Sequence, residues 1–189
     1  MTASQPNALQ GRVVPAPAVP RLAAMGLDAA MYLIIPAVLL PLGWLLAGKG
    51  IVFSPLVVNG IGLVLVIAPA TTWAAWREAR PRGATLGKRW RRLTVHDRHT
   101  RALPSGRQSV ARNVIKIAVP WELGHTIALG YANTPAGDLP PWLWIITAVI
   151  YSWLLTNLAL LIIPSHMPLH DRLAGTVVVR NDLLVSTIA

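Results

Sequence analysis

Arg21 and Asp28 stand seven residues apart, two helical turns, so on a helix both project from one face, with Asp28 roughly 10 Å deeper. The residues around Asp28 are apolar, which puts its carboxylate in hydrocarbon. An unpaired Asp at the centre of a span costs about 2.5–3.5 kcal/mol, so Asp28 must face the interior of a bundle and find a partner. It could serve as a cation or proton site; a structural salt bridge or packing hydrogen bond would satisfy it equally well. Glu122 and His125 are i,i+3 neighbours, so a carboxylate and an imidazole share one helix face, either as a proton relay or as a mutually satisfied pair. Asn157 and Thr156, with Thr71 and Thr72, count inward to about the depth of Asp28 and predict a polar layer, able to bind a cation or to glue helices together.

Other combinations carry less. The run Gly83-Ala84-Thr85-Leu86-Gly87-Lys88-Arg89 has too few residues between its glycines for a phosphate-binding loop, and Arg89 stands where Ser or Thr should hold magnesium, which excludes nucleotide binding. His166 and His170 are spaced i,i+4 beside Asp171, but Pro164 and Pro168 oppose a regular helix there, and no Glu takes a zinc-protease position. No metal and no cofactor are expected. With Cys 0, disulfides, thiolate metal sites and cysteine nucleophiles are excluded. No nucleophile or catalytic carboxylate pair stands out, so an enzyme is not expected.

The elements that must position these groups cross a bilayer. The chain has 189 residues, 54% of them hydrophobic, and a mean hydropathy of +0.52, too apolar for an ordinary soluble domain. Stretches 51–76 and 139–165 are long and uncharged enough to span about 30 Å of hydrocarbon. A third, 22–47, is equally apolar apart from Asp28, with Pro36 and Pro41 predicted to kink it. Trp44, Trp73, Trp76, Trp142 and Trp144 fall near the ends of these stretches, where indole rings favour the headgroups.

The net charge of +10 is not a nucleic-acid signature. Residues 77–112 hold 11 of the 17 Lys and Arg against only Glu78 and Asp97, so one segment carries nearly all the excess. By the positive-inside rule this segment is cytoplasmic, and so is the tail with Arg172 and Arg180. Both can be inside only if 113–131 also crosses, despite Lys116, Glu122 and His125; the alternative is an amphipathic helix lying on the surface. The fold class is therefore an all-α polytopic membrane protein of about four spans, with residues 48–50 and 132–138 outside. Residues 1–20 and 181–189 are predicted as cytoplasmic tails flanking a membrane domain over 21–180. Within the basic segment, Leu93-Thr94-Val95 and Thr176–Val179 read as short strands able to pair. Ser105 and Gln108 have capping-box spacing and start a helix, and Asp97 falls in a solvated loop.

The stretch from Arg21 to Asp28, the run GATLGKRWRRLTV from Gly83 to Val95, Arg112-Asn113, and His170-Asp171 leading into Val179 together resemble the RDD family of membrane proteins. The resemblance covers about 20–180 and maps the family's arginine and two aspartates onto Arg21, Asp28 and Asp171. His99-Thr100 stand where relatives commonly place a Gly turn. The resemblance implies transport of an undefined ligand, with sodium–proton antiport linked to some members. Two functions compete. In the first, the protein is a small transporter with Asp28 as the cation or proton site, aided by Asn157, Glu122 and His125, and a cytoplasmic charge cluster of Arg21, Asp171 and Arg112 as gate; so small a bundle would need a homo-oligomer. In the second, it is a non-transporting accessory protein whose Lys88, Arg89, Arg91 and Arg92 bind anionic lipid or a partner protein. Either function places it in the cell inner (plasma) membrane.

Overall fold

The computed structural model describes residues 15–135, 138–163 and 166–181. Most of the two tails, residues 136–137 of the expected outer connection, and Pro164 lie outside the described residues. Helix α1, Ala18–Gly48, and helix α2, Pro55–Glu78, are long and apolar enough to cross a membrane, as is a later helix, Pro141–Ile162, which is α5 below. Their ends differ from the expected ones by a few residues. α1 is interrupted at Leu33, three residues before Pro36, because a proline ring has no N–H for the carbonyl of Tyr32 and clashes with it. α2 starts at Pro55 with the Ser54 hydroxyl accepting from the Val57 N–H, an N-cap followed by proline at the first helical position.

Between α2 and the next long helix, the basic segment is folded. It forms a short helix α3, Leu86–Trp90, and a strand β1, Leu93–Asp97. Helix α4 then runs without interruption over 106–133, built from Gly106–Asn113, a wide π segment Val114–Ala118, and Val119–Asn133. Ser105 caps it with the full reciprocal box: its hydroxyl accepts from the Gln108 N–H, and the Gln108 side chain accepts from the Ser105 N–H. α4 has the length of a span but is not among the described helices apolar enough, by composition, to cross. The π segments, Leu63–Ile67 in α2 and Val114–Ala118 in α4, each run up to a proline helix restart, Pro69 and Pro120. A proline cannot supply the i−4 bond, and a wider turn absorbs the misfit.

After α5, helix α6, Leu169–Ala174, ends at Gly175, whose φ of +66° closes the helix in the left-handed region. Strand β2, Thr176–Arg180, follows and pairs antiparallel with β1, Leu93 opposite Arg180 and Asp97 opposite Thr176. The two short strands therefore pair as their β-branched composition suggests. Their inward residues Leu93, Val95 and Val178 pack with Ala16 and Ala24 in a small core, and the Ala16 N–H donates to the Val178 carbonyl. Asp97 is not a free loop carboxylate. It accepts from the backbone N–H of His99 and Thr100 and from Gln108 Nε2, and these bonds push it down to about 2. The turn where a Gly is commonly found takes its left-handed residue at Arg101, φ +62°.

Candidate functional site

At the end of the bundle nearest the small sheet, six charged side chains from five elements close into one buried network. α1 supplies Arg21 and Asp28 from a buried stripe that also includes Ala24. The spacing of 3, 4 and 7 puts all three on one helix face. α2 supplies Glu78 at its last residue, α3 Lys88, α4 Arg112 and α6 Asp171. Asp171 is the first hub: its carboxylate accepts from Arg21 Nη2 at 2.5 Å and from Arg112 Nε at 2.7 Å. Glu78 is the second: its Oε1 accepts from Lys88 Nζ at 2.6 Å and Arg112 Nη1 at 2.7 Å, and its Oε2 from Asn113 Nδ2 at 2.8 Å. Both carboxylates are fully buried. Arg112 thus bridges the hubs, its planar fork placing Nε on one carboxylate and Nη1 on the other.

Asp28 joins through α3. Its Oδ2 accepts from the Thr85 hydroxyl at 2.5 Å and its Oδ1 from the Gly87 N–H at 2.9 Å, with Lys88 Nζ 4.0 Å away. Gly87 is required here because a Cβ would collide with the Ala24 carbonyl oxygen. With three cations against three carboxylates, the six groups balance, which is what lets charge remain in a dry site. Burial by itself would raise the Asp171 carboxyl, but the Arg112 and Arg21 guanidinium groups hold it well below the ordinary range. His170 lies against Asp171 and is kept neutral: burial pushes it down to about 3, with Nδ1 3.2 Å from Asn157 Oδ1.

The structure brings Arg21, Arg112, Asp171 and, through Lys88, Asp28 together. It changes the part assigned to Lys88, whose buried ammonium is bonded to Glu78 and so cannot reach a headgroup at the surface; Arg89 and Arg92 are exposed and Arg91 is half-buried. The polar layer does not form. Asn157 turns to α6, accepting from the Leu169 N–H, while Thr156 and Thr72 are exposed, since consecutive helical residues point about 100° apart. Glu122 and His125 do not pair either. Glu122 Oε1 accepts from Asn59 Nδ2 at 2.5 Å, and Asn59 Nδ2 lies 3.5 Å from Thr126 Oγ1. His125 packs instead on Gly62, one helical turn from Asn59 on α2, where a Cβ would sit 2.8 Å from the ring. Glu122 Oε2 and Asn59 Oδ1 are buried without a hydrogen-bond partner among the described residues.

Sequence reasoning gave no site role to Glu78, Thr85, Asn113 or Asn59. Glu78 left a trace as one of only two acids in the basic segment. Asn59 left another as a lone amide in an apolar run.

The sequence model of the RDD family matches residues 15–175, which takes in every element of the buried network. No curated protein and no solved structure matches the chain.

Proposed function

The chain belongs to the RDD family and is a membrane protein with apolar helices, and from that premise we propose that it is a small plasma-membrane transporter exchanging a cation for protons at Glu122. The observation that carries this reading is the pair of orphaned oxygens on Glu122 and Asn59. A carboxylate held in an apolar helix pair with an open oxygen is costly unless it takes a proton or a cation. Thr126 Oγ1 beside the same amide completes an oxygen set of the kind hard cations favour. Asp28 suits the role less well, because Thr85 and Gly87 occupy both of its oxygens; it belongs to a clamp that seals one end of the path. In this proposal α4 is the fourth crossing, and both termini and the 77–112 segment are cytoplasmic, as the Lys and Arg distribution favours.

A second reading, a non-transporting accessory protein, draws on the stretch Ile34–Gly48, which fully buries no residue and leaves most of its apolar surface open to lipid, a partner or another copy. Flux decides between them. Purified protein in vesicles holding a pH-sensitive dye under a proton gradient should dissipate that gradient when sodium, lithium or potassium is added, and Glu122→Gln should abolish the response. Wild-type vesicles that behave as empty ones for all three cations, with insertion verified, would leave the accessory role. For orientation, single cysteines at His99 and Asn133 are treated with a membrane-impermeant thiol reagent in intact cells. Only the one at 133 should react; labelling at 99 would invert the assignment.

A further inference from the structure

Among the described residues, Lys116 is a basic side chain beside the buried network that the pairing leaves over. It lies in the π segment of α4, one turn past Arg112, and has no hydrogen bond or ion pair within 4.0 Å among the described residues. With its amine protonated, as a bound anion would favour, it adds a fourth cation to Arg21, Lys88 and Arg112 against Asp28, Glu78 and Asp171, an excess of +1. The same four cations line a cavity of about 140 Å³ between α1, α4 and α5, and no carboxylate lines it. The remaining wall is largely apolar. Leu22, Leu154 and Leu158 line the cavity while also being 40–47% exposed on the apolar flank of α1 and α5, so its rim faces the region occupied by acyl chains.

We propose that this cavity is a binding site for the anionic headgroup of a phospholipid, entered sideways from the bilayer between α1 and α5, with Lys116 supplying the unmatched charge and the leucines carrying the first part of an acyl chain. A phosphodiester has one negative charge, which matches the excess. The apolar rim favours a headgroup attached to a chain over a free anion, whose approach would be through hydrocarbon. A zwitterionic headgroup brings its own cation into a site that already has one too many. This site is separate from Asn59 and Glu122 and from the exposed arginines of the basic segment.

Native mass spectrometry of the full chain in neutral detergent tests the assignment, with dioleoylphosphatidylglycerol and dioleoylphosphatidylcholine as probes. One phosphatidylglycerol per chain should bind at least about fivefold more tightly than phosphatidylcholine, the factor for one cation–anion contact at a membrane surface. Lys116→Met should reduce the preference to about twofold or less. Leu158→Trp, which fills the cavity without altering charge, should do the same and decides the matter if the lysine variant does not fold. The double variant Arg89→Gln, Arg92→Gln should keep the preference. Undiminished preference in Leu158→Trp, or in folded Lys116→Met, would overturn the proposal, as would its loss in the Arg89, Arg92 variant alone, which would move the lipid to the outer surface. Displacement of phosphatidylglycerol by inorganic phosphate would overturn the lipid source and leave a site for a free anion.

Discussion

Asp171→Asn is the most informative single change to the buried network. The native carboxylate accepts from Arg21 at 2.5 Å and Arg112 at 2.7 Å and is fully buried. The amide keeps the volume, removes the charge, and turns an NH2 toward one of two guanidinium groups that are themselves at most 5% exposed. Removing one partner from a buried ion pair costs about 3–5 kcal/mol, because the other charge stays behind in a dry site. At about 2–4 °C per kcal/mol for a chain of this size, the melting temperature in detergent should fall by about 6–20 °C. Asp138→Ala is the control: that side chain is exposed, and its loss should stay within about 0.5 kcal/mol. Intrinsic tryptophan fluorescence during heating reads both. An Asp171→Asn protein that melts with the Asp138→Ala control would refute the idea that the network holds these helices together.

Two further outcomes follow from the same geometry. His170 is neutral in the fold, with its folded value near 3 against an ordinary 6.5, so below 6.5 the unfolded chain takes up a proton that the folded one refuses. Stability should therefore fall as pH drops from about 6.5 toward 3, and His170→Gln should flatten that slope; an unchanged slope removes His170 as its cause. The depressed carboxylates Asp97 and Asp171 keep their contribution above about 4 and lose it only in stronger acid. Gly87→Ala should lower the melting temperature by several degrees because the added methyl strikes the Ala24 carbonyl and displaces the N–H that holds Asp28; a variant that melts like wild type would mean that α1 and α3 do not pack this closely.

Much of this arrangement can be read from the chain. The 3, 4 and 7 spacing puts Arg21, Ala24 and Asp28 on one face, the Ser105–Gln108 box marks the start of α4, and the β-branched runs find each other as strands. What the sequence could not supply is pairing between distant elements. Which donors answer Asp28 depends on α3 folding back so that Thr85 and Gly87 meet α1, and no local pattern announces that fold. Lys88 looks like a member of a surface run with Arg89, Arg91 and Arg92 until the turn of α3 points it at Glu78. Glu122 and His125 share a helix face by spacing, yet Asn59 and Gly62 on α2 take them separately. The spacing of two residues limits where they can go, and the neighbouring helix decides what they meet.

The central functional claim is that Glu122 exchanges a proton for a cation, and infrared difference spectroscopy of the reconstituted protein reads that step at the carboxyl itself. When the active cation replaces an inert one at constant pH, wild type should lose the carbonyl band of a protonated carboxylic acid and gain the bands of a carboxylate. Asp28→Asn, if it folds, should behave the same way, and Glu122→Gln should show neither change. A carboxyl signal that persists in Glu122→Gln, or a wild-type spectrum that does not respond to any of the three cations, would contradict the claim.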